Sequence, residues 1–89
     1  MRAVITVVGK DMVGILAKIS AGCAENNINI IDVTQTVLDN VFAMVMLVDI
    51  SESSLPFEKL KSNLESAGTE MGLAVHIMHE DIFNAMHKI

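Results

Sequence analysis

Ala3 to Val8 is a continuous apolar run relieved only by Thr6, the pattern of a central strand covered on both faces. Gly9 ends it. Met12, Ile15, Leu16, Ile19 and Cys23 then recur at helical spacing, and Gly22 falls on the same stripe, where a missing side chain lets a sheet approach. Asn26-Asn27 supplies the left-handed residue that stops this helix. Ile28 to Leu38 reads as a long strand with Asn29, Ile31, Val33, Gln35 and Val37 on one face and Ile30, Asp32, Thr34, Thr36 and Leu38 on the other. A two-residue Asp39-Asn40 turn, at home with positive φ, returns the chain as an antiparallel strand over Val41 to Ile50. Both faces of that strand are apolar: Phe42, Met44, Met46, Val48 and Ile50 on one, Val41, Ala43, Val45 and Leu47 on the other. Helices on one side of a sheet cannot cover both.

The polar stretch Ser51 to Ser54 and Pro56 prepare a second helix, in which Phe57, Leu60, Leu64, Ala67 and Met71 alternate by three and four and Gly72 closes the last turn. Leu73 to His79 forms a last strand. Asp81 caps a short tail helix with an apolar stripe of Ile82, Phe83, Met86 and Ile89. The order is that of an α+β, ferredoxin-like βαββαβ sandwich: a four-stranded antiparallel sheet with two helices on one face, plus a short C-terminal helix. Right-handed crossovers joining parallel neighbouring strands set both main helices on the same side. The other side falls to the tail helix, to a second subunit, or to both.

Composition sharpens this picture. A domain of 89 residues has a thin core, yet 52% of its residues are apolar before glycine is counted, an excess that points to a homodimer. The net charge of −5 and the lack of Trp and Tyr argue against direct nucleic-acid binding. No apolar run reaches the ~18 residues of a membrane span, and the chain enters a strand without a cleavable signal, so a soluble, cytoplasmic protein is expected. The single Cys23 excludes an internal disulfide and a cysteine metal cluster and reads as core filler.

Gly9 and Gly14 have the outer spacing of a phosphate loop, but Ile15-Leu16 replaces the lysine and hydroxyl residue that such a loop needs. Gly9 is read as supplying an unusual backbone angle and Gly14 as permitting tight helix packing. Asp11 caps the first helix or contacts a ligand. The free N–H groups at that helix start suit a carboxylate, and the second strand is expected to return Asn29 and Asp32 close to the loop, where they receive an ammonium group or satisfy the neighbouring turn. Such a corner holds a small zwitterion. His76, His79 and His87, with Glu80 and Asp81, form a loose cluster without a recognised metal spacing, and solvated histidines are the plainer reading. No arrangement resembles a nucleophile with its base, so no catalytic or metal residue and no cofactor is assigned. Met44 and Met46 are favoured as interface residues, with Met78 and Met86 extending an adaptable apolar surface.

The segments Val7-Val-Gly-Lys-Asp-Met-Val-Gly-Ile15 and Ile28-Asn-Ile-Ile-Asp32 resemble the ACT domains, small ligand-sensing modules with this order of elements. The resemblance covers residues 2 to 79. It divides the chain into an ACT-like domain, 1–79, and a helical tail, 80–89, that packs on the sheet or on a second subunit. The tail is similar to the ending of stand-alone bacterial and archaeal members of uncharacterised role. The resemblance implies dimerisation and binding of an amino acid or similar effector at the subunit boundary. Carried onto this sequence, the contacts are Lys10, Asp11, Met12, Val13, Gly14, Ile15, Asn29, Ile31 and Asp32. Since no attached enzyme or DNA-binding domain accompanies the module, a separate enzyme or regulator is the expected partner. The rival reading is an interaction module with the same dimer and no small-molecule ligand.

Overall fold

The structure is a computed structural model that describes residues 1–10 and 14–86. It contains β1 (Arg2–Gly9), α1 (Ile15–Glu25), β2 (Asn29–Leu38), β3 (Val41–Asp49), α2 (Phe57–Glu70), β4 (Ala74–His79) and α3 (Glu80–Met86). The strands form one antiparallel sheet in the order β2-β3-β1-β4, the ferredoxin-like arrangement. Each crossover passes over a strand, which corrects the expectation that crossovers join neighbours. The tight hairpin at Asp39, where φ is 57°, makes β2 and β3 adjacent, so β1 docks on the free edge of β3. Because β1 and β2 are both antiparallel to β3, they run parallel to each other.

Alternation decides what the helices cover. Ala3, Ile5 and Val7 of β1, Phe42, Met44, Met46 and Val48 of β3, and Val75 and Ile77 of β4 share a buried cluster with Ile15, Ile19 and Cys23 of α1 and Leu60 and Leu64 of α2. Met44 and Met46 are 1% and 0% exposed, core residues under the helices rather than interface residues. Cys23 is core filler, and burial pushes its thiol pKa up.

The register of β2 against β3 slips between Ile30 and Asp32, leaving Ile31 as the extra residue of a bulge. Ile30 and Val33 therefore face Val48 and Met46 on the helix side, while Asn29 and Asp32 face Asp49 and Leu47 on the helix-free side. This corrects the strict alternation, which had separated Asn29 from Asp32.

Glycine positions divide by cause. A Cβ at Gly9 would collide with the Leu73 side chain, and one at Gly68 with Val75, 3.3 Å from the Leu73 carbonyl oxygen. Gly22 has nothing within 4 Å of its Cβ position, so it does not serve a close approach to the sheet. Gly22→Ala is expected to stabilise by about 0.5–1 kcal/mol through helix propensity. Gly68→Ala gains the same increment but loses more, typically ~1–3 kcal/mol, to overpacking against stiff, β-branched Val75. Urea midpoints should therefore move in opposite directions for the two variants.

The helix-free side is only partly covered. α3 follows β4 without an intervening residue, with Asp81 inside its first turn rather than capping it, and packs against β1 and β4. Arg2 Nε donates to Glu80 Oε1 at 3.0 Å, and Arg2 Nη2 donates to Glu80 Oε2. Val4, beside Arg2 on this strand, is 4% exposed although it stands outside the helix-side cluster. Val8, Val41 and Val45 on the same side remain 44%, 40% and 37% exposed.

Candidate functional site

One half of the candidate site is the start of α1. Gly14 is its N-cap with φ 78°, a left-handed conformation, and its carbonyl accepts the Lys18 N–H at 3.0 Å. A Cβ there would meet nothing within 4 Å, so the backbone angle calls for glycine and packing does not. Gly9 is the crowded residue of the pair. The structure thus exchanges the roles expected for Gly9 and Gly14. No side chain caps the helix among the described residues, and its first turn carries no acidic residue. The first N–H groups of a helix lack carbonyl partners within it, and their dipoles favour an anion. Ile15 contributes only backbone, because its side chain is 1% exposed in the core, whereas Leu16 beside it is 38% exposed. Lys10 is exposed. Asp11, Met12 and Val13 lie outside the described residues.

The other half is the start of β2. Asn27 takes the left-handed conformation that ends α1, at φ 58°. Asn26 Nδ2 donates to the Gly22 carbonyl at 2.9 Å, and the Asn26 carbonyl accepts the Ser54 N–H at 3.0 Å. That turn is held by Asn26 and Asn27, not by Asn29 or Asp32, both of which are exposed. Asp32 Oδ1 accepts the Val33 N–H at 2.9 Å, and Ile31 on the bulge is 44% exposed.

These halves do not meet within one chain. Gly9 lies across β3 from the far end of β2, through the pairs Gly9–Phe42 and Val37–Phe42, whereas Asn29 lies across from Arg2, through Asn29–Asp49 and Arg2–Asp49. From Asn29 to Val37 the strand advances about 26 Å at ~3.3 Å per residue. The expectation of a single corner is overturned, because α1 carries the chain back along the sheet before β2 begins. β2 is an edge strand, so its outer side has no strand partner among the described residues.

The histidines are dispersed. His79 stacks on Phe57, with ring centroids 4.1 Å apart and an interplanar angle of 18°, while His76 Nδ1 lies 3.9 Å from Glu65 Oε2. His87 is outside the described residues. Among those described, no group of three or more His, Cys, Asp or Glu side chains is placed to hold a metal ion.

Residues 2–78 match a family model described as the ACT domain. The chain belongs to the ACT domain family. It is 54% identical over 88 residues to a UPF0237 protein of Methanocaldococcus jannaschii, covering 99% of this chain and 98% of that one. An ACT domain protein from Streptococcus pneumoniae has the same fold with a TM-score of 0.82 and 41% identity, covering 98% of each chain. A protein assigned as a glycine cleavage system transcriptional repressor matches with a TM-score of 0.71 and 25% identity, over 86% of this chain and 44% of that one.

For this ACT domain, sequence reasoning missed the bulge that unites Asn29 and Asp32 on one face. The signal is present in Ile30-Ile-Asp-Val33. Strict alternation there cannot keep both Ile30 and Val33 inside, and an extra residue can.

Proposed function

We propose that this ACT domain is a cytoplasmic regulatory module that binds a small amino-acid-like metabolite at a boundary between two copies and acts on a separate partner protein. The observation that carries this reading is the separation of the half-sites along an edge strand. Two β2 edges paired antiparallel about a two-fold axis bring the start of each strand to the end of the other. Asn29, the first residue of β2, then stands at the end of its partner's sheet from which α1 starts. There the N–H groups following Gly14 hold the carboxylate, and Asn29, reaching round the end of β2 from the helix-free side, holds the ammonium group. The effector regulates to the extent that it binds one dimer arrangement more tightly than another.

The bare, partly exposed face of the sheet favours the second reading, an interaction module without a ligand. Thermal unfolding across the twenty amino acids at millimolar concentration separates the two. A ligand present at 100 times its dissociation constant adds about 2.7 kcal/mol, and the midpoint rises by several degrees in a domain of this size. A selective rise supports the sensor. A flat panel on a stable dimer supports the interaction module.

A further inference from the structure

We infer that the outer edge of β4 docks an extended segment of a partner protein, which adds to the sheet as a further strand and carries the pattern apolar-x-acidic-x-basic. This rests on the reading that the module acts on a separate protein, and on neither the metabolite nor the β2 boundary. β4 ends the sheet on the side away from β2, paired only with β1 among the described residues. Its register, from Ala3–His79 to Val8–Ala74, runs without a bulge. Strands at a sheet edge are commonly guarded by a lysine, a proline or a bulge. Ala74–His79 has none of these, so alternate N–H and C=O groups along it point outward with no strand to receive them.

A groove of about 320 Å³ follows this edge, walled by Phe57, Lys61 and Glu65 of α2 and ended by Ile82 of α3. Two contacts align helix and strand: Phe57 stacks on His79 with ring centroids 4.1 Å apart, and Glu65 Oε2 lies 3.9 Å from His76 Nδ1. α2 therefore runs opposite to β4, and Phe57, Lys61 and Glu65 form one row along the groove. Spaced one helical turn apart, these side chains repeat every ~6.0 Å, and the same-face residues of a strand repeat every ~6.6 Å. An added strand thus sets three successive side chains against the three in order. Phe57 and the 52% exposed Ile82 receive an apolar residue. Lys61, exposed and without an ion pair among the described residues, receives a carboxylate. Glu65 receives a cation in place of the exposed His76. A segment that continues the antiparallel sheet runs with α2, so the apolar residue comes first. No acidic residue of this chain is followed two places on by Lys or Arg, so the occupant is a different protein rather than a second copy.

The probe is an end-capped peptide, Thr-Val-Thr-Leu-Thr-Glu-Thr-Lys-Thr, titrated into the isotope-labelled full chain and followed by amide NMR. Saturable binding with Kd below about 1 mM is expected, together with slowed hydrogen exchange at alternate amides of Ala74–His79, the mark of strand addition. A peptide with its Glu and Lys exchanged is expected to bind more weakly. Lys61→Glu reverses an exposed ion pair and is expected to weaken binding about 5-fold, while a peptide carrying Lys in place of its Glu is expected to prefer this variant to the wild type. The proposal is overturned by absence of shifts along β4 at millimolar peptide, by equal affinity for the exchanged peptide, or by a Lys61→Glu variant that leaves the preference unchanged. Alternate β4 amides already protected in the free chain also overturn it, since a second copy then holds the edge. A flat thermal panel removes the metabolite reading and leaves this titration unchanged, whereas a failed titration leaves any amino-acid shift intact.

Discussion

Ile5→Ala is expected to destabilise the protein by about 3–4 kcal/mol, within the range measured for large-to-small changes in close-packed cores. Ile5 is 0% exposed at the middle of β1, flanked by β3 and β4, with Met46 and Ile77 as its cross-strand partners under the helix layer. Both neighbours are fixed on strands hydrogen-bonded to β1, so they cannot collapse into the vacated volume without moving a strand. A chain of 89 residues has a total stability of roughly 4–13 kcal/mol, so this one side chain accounts for a large share of it. Each kcal/mol moves the midpoint of a small domain by about 4–8 °C, which predicts a fall of more than 10 °C. With no Trp or Tyr in the chain, far-UV circular dichroism in urea is the suitable readout. A loss below about 1 kcal/mol would show that the centre of the sheet is not packed as described.

The order of elements is legible in the sequence because the period changes cleanly from strand to helix, and because Asn27, Asp39 and Gly72 sit where positive φ is needed. The allocation of the methionines is not legible. Both faces of β3 are apolar, and only the position of the helices tells which face is core. Glycine roles are hidden for a similar reason: whether Gly68 or Gly22 lies against the sheet depends on helix rotation, and the two residues look alike in a helical stripe. The bulge in β2 follows from a conflict that the sequence does contain. Regular alternation puts Asp32 on the face of Ile30, and burying a carboxylate without a partner costs several kcal/mol. One extra residue at Ile31 sends Asp32 to the open side and keeps Ile30 and Val33 inside. The distance between the half-sites is the least accessible property, since loop and strand are neighbours in sequence and are separated only by the direction in which α1 runs.

That separation gives the sensor reading its most demanding consequence. Leu16→Asp places a carboxylate in the first turn of α1, where it favours the helix but repels an anionic ligand; Leu16 is exposed, so the fold should survive. Asn29→Ala removes the proposed partner of the ammonium group, a hydrogen bond to a charged group worth about 1.5–3 kcal/mol and hence roughly 10- to 100-fold in affinity. Each variant alone is expected to lose the thermal shift produced by the amino acid that selectively stabilises the wild type. Unfolded together and refolded, the two should recover it in part. If each site joins the α1 start of one chain to the β2 start of another, a mixed pair contains one doubly altered site and one that is wholly native. Random pairing then leaves about a quarter of all sites intact, and calorimetric titration with the same amino acid should find that fraction at wild-type affinity. A site contained within one chain cannot be rebuilt by mixing, because every chain carries one lesion. Two variants that each abolish binding, yet restore none when combined, would therefore exclude the shared boundary and leave the ligand, if there is one, on a surface that a single chain completes.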